Sequence, residues 1–273
     1  MTDPVPEPPV VLITGATSGI GRATARLLAE SGYRVFGTGR NPATSRLDGF
    51  DLLPLEVTDD VSVQSCVRAV VERTGGRIEV LINNVGTGIL GAAEESTAAE
   101  VRDLFEVNVF GAVRMTNAVL PHMRARGNGR ILVMSSSGGL AAVPFASYSC
   151  ATKFSLEGYS EGLRLELLPM GILVSVIAPG PVSTTAGDKV PRSAHPVRDY
   201  EPARSKSVDQ FVQAIHEGMD PERVARVVLK CLRSSNPAPR YPVGAQSRAT
   251  GLLRRLLPTR SFQALTRWAT RPD

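Results

Sequence analysis

The stretch VVLITGATSGIGRAT, residues 10–24, decides how the rest of the chain is read. Val10, Val11, Leu12 and Ile13 form a short, continuously apolar and mostly β-branched run, the pattern of a strand buried on both faces. From Gly19 onward the spacing is helical. Gly15, Gly19 and Gly21 lie at the junction in the order Gly-x-x-x-Gly-x-Gly. Glycines at such a turn permit close approach of a phosphate group to the backbone and close helix packing, while the helix N-terminus offers unpaired N–H groups to the anion. The spacing differs from the general Gly-x-Gly-x-x-Gly fingerprint, and no Lys-Ser/Thr pair follows as a Walker A loop requires. A glycine-rich turn alone is a weak signal. Between a strand and a helix, at the head of a βαβ series, it is a strong one.

Outward from this turn, short apolar runs alternate with helical patterns. YRVFGTG (33–39), DLLPL (51–55), IEVLINN (78–84), GRILVMSS (129–136) and GILVSVIA (171–178) read as strands, and 19–31, 59–74, 97–126 and about 147–168 as helices. The alternation predicts an α/β fold, a single doubly wound Rossmann-type parallel sheet with helices on both faces and ligands at the carboxyl ends of its strands. Past about residue 184 the alternation stops. TTAGDKVPRSAHPVRDYEPARSKS is polar and broken by Pro and Gly, and reads as a loop or substrate lid at about 185–219. DPERVARVVLKCLRS (220–234) resumes as a helix with Asp220 at the N-cap and Pro221 in the first turn, and RYPVG as a short last strand. The predicted organisation is a flexible tail at 1–9, the sheet domain at 10–243, and a basic helical extension at 244–273.

Composition excludes several function classes. With 273 residues, 42% hydrophobic and 21% charged, the chain can bury a substantial core and is neither disordered nor fibrous. Cys66, Cys150 and Cys231 are scattered and without metal-ligand spacing, so buried, reduced thiols and no metal site are expected. No apolar run approaches the roughly 18 residues of a membrane span, and the start MTDPVPEPPV lacks the regions of a signal peptide. A cytoplasmic protein is expected. Much of the net charge of +5 comes from Arg248, Arg254, Arg255, Arg260, Arg267 and Arg271, interspersed with leucines. This reads as a solvated helix face in preference to a membrane-surface contact, and not as a nucleic-acid motif.

The second strand ends in GTGRNP. A ribose with a free 2′-hydroxyl normally meets an Asp or Glu here, but Gly39 stands near that place and Arg40 follows, whose charge and forked donors suit a 2′-phosphate. NADP(H) is the expected cofactor.

These features resemble the short-chain dehydrogenase/reductase superfamily. TGATSGIG (14–21), NNVG (83–86), Asn108 in FEVNVFGAV, the serines of VMSSSGG, the lysine of CATKFSLEG and PGPVST (179–184) occur in that family's order over about residues 10–235. The segments 129–145 and 153–185 look most like the branch containing 17β-hydroxysteroid and retinol dehydrogenases. The resemblance implies an oxidoreductase that moves hydride between NADP(H) and a carbonyl or alcohol of a small, fairly apolar, steroid- or retinoid-like molecule. It also implies a homodimer or homotetramer built on two long helices. Carried over by position, Gly15, Thr17, Ser18, Gly19, Ile20 and Gly21 would bind the cofactor's phosphates and adenosine, and Arg40 its 2′-phosphate. Asn84 and Gly86 would line the adenosine side; Pro179, Gly180, Val182 and Thr184 would cradle the nicotinamide. Asn108 would hold a proton-relay water, and Lys153 would bind the nicotinamide ribose and lower the pKa of a catalytic tyrosine. Val85 and Glu56 depart from the family's usual Ala and Asp.

A further departure falls on the catalytic helix. The family pattern is Tyr-x-x-x-Lys, which puts both side chains on one face. Here Tyr148 and Lys153 are five apart, a rotation of about 140° on a regular helix. Four residues before Lys153 stands Ser149. On an ungapped alignment Ser136 is the substrate-binding serine and Ser149 fills the tyrosine's place, whether or not by a Tyr-to-Ser replacement. A serine hydroxyl is too short and too weakly acidic to act as the phenol does, and such a chain would bind NADP(H) with little turnover. The other alignment takes Ser135 as the active serine and keeps Tyr148, with Cys150 absorbed by a helix bulge. Hydrolase and zinc motifs are absent from the sequence, and a Ser149/Lys153 nucleophile lacks both the spacing and an oxyanion hole.

Overall fold

The computed structural model describes residues 7–42, 46–185 and 190–270. Residues 1–6 of the expected tail, residues 186–189 of the expected lid and residues 271–273 of the extension lie outside the described residues. Strands β1 (Val10–Ile13), β2 (Arg34–Gly39), β4 (Phe50–Pro54), β5 (Val80–Asn83), β6 (Gly129–Met134), β7 (Ile172–Pro179) and β8 (Arg240–Val243) run parallel. The two-residue strand β3 (Arg46–Leu47) pairs antiparallel with β4, and the sheet order is β3-β4-β2-β1-β5-β6-β7-β8. The strand order therefore reverses between β1 and β5, which places the ligand crevice at their carboxyl ends.

Alternation along β1 shows how the apolar runs are used. Val10 and Leu12 point into one core layer and Val11 and Ile13 into the other, so neither face tolerates a polar residue. The first layer is covered by α2 (Asp60–Thr74), α4 (Gly111–Arg126) and α5 (Ser147–Leu167), which contribute Val67, Met115 and Leu163 among others. The second is covered by α1 (Gly19–Glu30) and α7 (Pro221–Arg233), through Ala25, Leu28, Val224 and Val228. Asp220 caps α7 as expected, its carboxylate accepting the Glu222 N–H at 2.8 Å with Pro221 in the first turn. All three cysteines are free and buried, and burial pushes the Cys66 thiol up to about 12.

Two readings need correction. The long helix expected at 97–126 is α3 (Ala98–Phe105) and α4, joined by a π-helical turn at Glu106–Phe110. The segment read as a loop contains α6 (Ala203–His216). Val208, Phe211, Val212 and Ile215 have amphipathic spacing, but the polar residues between them and Pro202 ahead of them hide it. Beyond β8, the extension forms α8 (Ala245–Leu256) and α9 (Thr259–Ala269).

The described part of the segment expected to be a lid is fixed to the body by Glu95, whose residue is only 1% exposed. Its carboxylate accepts the N–H groups of Ala92 and Val197, each at 2.7 Å, and pairs with Arg204 at the head of α6. Burial works against the charge, yet these donors hold the carboxyl below its ordinary range. Without Glu95, Arg204 keeps its pairing with Glu201, but the Ala92 and Val197 N–H groups lose their acceptor. Glu95→Ala should therefore lower stability by about 1–3 kcal/mol, read from urea unfolding; a loss below about 0.5 kcal/mol would show that water replaces the carboxylate there.

Candidate active site

The turn between β1 and α1 is built to admit a phosphate. Gly15 and Gly19 take φ of +70° and +53°, and a Cβ on Gly21 would come within 2.1 Å of the Gly15 carbonyl oxygen. Ser18 stands at the N-cap without a side-chain bond to the helix, and no acid occupies the first turn of α1. The first N–H groups and the positive end of the helix dipole are thus left to an anion. A Cβ at Gly39 would lie 2.5 Å from the Thr17 methyl, so the end of β2 packs directly on the turn; the next residue, Arg40, is exposed. On the other side the segment after β7 folds back: Gly180 N–H bonds the Val243 carbonyl at 2.9 Å, Val182 bridges to Met219, and Thr184 lies against Gly19. Donors and clearance fit the phosphates of a nicotinamide cofactor. Asn84 serves as a brace, its amide donating to the carbonyls of Thr14 and Gly15 at 2.9 and 3.2 Å.

The catalytic candidates meet beyond this trough. Lys153 donates from Nζ to the Met134 carbonyl at 2.9 Å. Asn108, in the π-helical turn and 1% exposed, accepts the Thr87 N–H through Oδ1 at 2.8 Å and donates to the Thr87 carbonyl at 2.9 Å and to Thr152 Oγ1 at 3.0 Å. Gly86 keeps the space between them open, since a Cβ there would stand 3.4 Å from Lys153 Nζ and 3.5 Å from Asn108 Oδ1. Ser136 is part-exposed, and its oxygen accepts the Gly138 N–H at 3.0 Å, leaving its own proton to donate. Ser135 is buried with its hydroxyl unpartnered, away from solvent.

No bulge rejoins Tyr148 to Lys153. Helix α5 is α-helical from Ser147, and the Cys150 N–H bonds the Ala146 carbonyl at 2.9 Å, the regular i to i−4 connection. The π-helical turn belongs to Asn108. Ser149 therefore lies one turn before Lys153 on the same face. Its hydroxyl is committed at both ends, accepting the Ile89 N–H at 2.8 Å and donating to the Ile89 carbonyl at 2.9 Å. Tyr148 is half-buried.

Glu157 escaped the sequence reading. It lies four residues after Lys153, buried, with one carboxylate oxygen 2.6 Å from Arg240 Nε on β8 and the other unpartnered. The Lys-x-x-x-Glu spacing was visible, whereas its partner, 83 positions away, was not.

Residues 9–194 match the family model of the short chain dehydrogenases. The chain is 40% identical over 258 residues to human 17-beta-hydroxysteroid dehydrogenase type 1, covering 85% of this chain and 76% of that one. It is 37% identical over 240 residues to 3-ketodihydrosphingosine reductase of Bacteroides thetaiotaomicron, covering 87% and 88%. A short-chain dehydrogenase structure from Streptomyces avermitilis matches with a TM-score of 0.82 at 33% identity over 98% of both chains.

Burial draws the Lys153 ammonium down from 10.5 to about 8, opposed by the negative charge of Glu157. Between those values the unfolded chain binds more protons than the folded one, so this group's contribution to stability rises with pH. Below about 8 the fold bears the full cost of the buried cation. Urea unfolding of the wild-type chain and Lys153→Met should therefore show their difference moving in favour of the wild type as pH is raised from 8 to 10.5. A difference flat across that window would mean that the ammonium is solvated.

Proposed function

This chain belongs to the short-chain dehydrogenase family of oxidoreductases, and we propose that it binds NADP(H) at the β1/β5 switch point and presents a fairly apolar carbonyl or alcohol to it, with Ser149 where relatives' pattern calls for tyrosine. The carrying observation is the regular helix that puts Ser149 one turn before Lys153, its hydroxyl engaged by Ile89.

When bound, the nicotinamide supplies or accepts hydride at the substrate carbon. Arg40 meets the 2′-phosphate, and the α1 N-terminus meets the pyrophosphate. Lys153 has one proton on the Met134 carbonyl and others for the ribose hydroxyls. Ser136, its oxygen already accepting from Gly138, donates to the substrate oxygen. Asn108 has both amide protons in use and acts by fixing the Thr87 loop against Thr152 of α5. What is missing is an acid matched to the alkoxide. A phenol near a cation serves near neutrality, and an aliphatic hydroxyl does not. Proton exchange therefore falls to solvent, and turnover is slow. Apolar character of the substrate is supported by the partly buried Val143 and Val190, the latter sharing the surroundings of Gly88 with the Ser149 hydroxyl. Assembly into a dimer or tetramer is supported by Leu165 near the end of α5 and Leu168 in the turn that follows it, both exposed.

NADPH oxidation with a panel of hydrophobic ketones tests the reading. Ser149→Tyr should raise kcat about 100-fold or more and, because it strands the Ile89 groups, cost about 1–3 kcal/mol of stability. Tyr148→Phe should leave the rate unchanged; its abolition by that variant would assign the proton transfer to Tyr148 instead. In binding titrations, Arg40→Ala should weaken NADPH roughly 10- to 100-fold and leave NADH alone. Equal losses for both dinucleotides would remove the 2′-phosphate contact.

A further inference from the structure

Residues 245–270 contain five arginines and no aspartate or glutamate, so this segment accounts for the whole net charge of +5. The structure shows how its two helices are turned. Ser247 faces inward on α8 and donates to the Ala178 carbonyl at 2.6 Å, and Phe262 is the buried anchor of α9. Arg254 lies over the rings of Phe154 and Phe262, at 5.3 and 5.6 Å, and pins both helices to α5.

The opposite faces are apolar and basic at once. Leu252 and Leu256, four apart on α8, are 58% and 66% exposed, with Arg248 and Arg255 beside them. On α9, Arg260, Ala264, Arg267 and Trp268 share the outward face, and Trp268 is 70% exposed. A solvated helix has no use for outward leucine and tryptophan, and a nucleic-acid surface has no use for the leucines. Apolar stripes flanked by arginine, without a carboxylate to repel, match an interface of acyl chains under anionic headgroups. Helices of 12 and 11 residues are too short to cross it, and no helix among the described residues is long and apolar enough to do so.

We propose that α8 and α9 form a docking surface for an anionic lipid bilayer, lying in its interfacial plane. The outward leucines and Trp268 insert below the headgroups and the arginines neutralise them. The solvated face favoured by the sequence pattern gives way because the structure directs the apolar residues outward.

Trp268 is the only tryptophan in the chain, which makes its emission a direct reporter. Full-length protein titrated with phosphatidylserine-containing vesicles should show a blue shift and co-sediment, and should do neither with pure phosphatidylcholine. High salt should weaken the association. Leu252→Ser/Leu256→Ser, and separately Arg255→Gln/Arg260→Gln/Arg267→Gln, should each lower partitioning about tenfold or more while the urea midpoint stays in place. Absence of both shift and sedimentation with anionic vesicles would overturn the proposal. So would a blue shift that follows protein concentration without vesicles and coincides with a larger species on sizing, because a second copy of the chain would then be the occupant.

Discussion

The place where the sheet reverses its strand order is held open by a clamp between Thr14 and Asn84. The buried Thr14 hydroxyl accepts the N–H groups of Asn84 and Val85 at 2.9 and 3.0 Å, and the Asn84 amide returns bonds to the carbonyls of Thr14 and Gly15. Adjacent parallel strands whose helices leave on opposite faces separate at their ends, and here side-chain hydrogen bonds replace the missing ladder. Without the clamp the glycine turn could collapse into the gap. With it, β1, β2, β5 and β7 all deliver their ends to one trough.

Helix α5 reaches that trough through a second chain of bonds. Thr87, Asn108 and Thr152 link the loop after β5, the π-helical turn and α5. The π turn takes Asn108 out of the regular ladder and aims it at that loop, a use of irregular helix that recurs at functional sites. The same loop is then fastened again by Ser149 through Ile89. Ser149 is thus committed to holding that loop against α5, whatever else the site does.

Most of the fold was legible because parallel strands buried on two faces admit little but Val, Ile and Leu, as Val10 to Ile13 and Ile172 to Ile177 illustrate. Strand β3 was not legible, since two residues carry no period. Helix α6 was hidden by its polar residues. The glycine turn was readable because its spacing is local. The anchor of the 190–219 segment was not: Glu95 meets Arg204 across 109 positions, and nothing near either residue announces the other. The register of Tyr148, Ser149 and Lys153 was countable, but whether the helix absorbs an extra residue depends on backbone bonds that no count reveals.

Phe154 is the residue immediately after Lys153, and its ring lies under Arg254 of the extension. The C-terminal helices are therefore stitched to the helix that carries the lysine. A segment that sequence patterning alone would set down as an appendage thus shares a contact with the helix that carries Lys153.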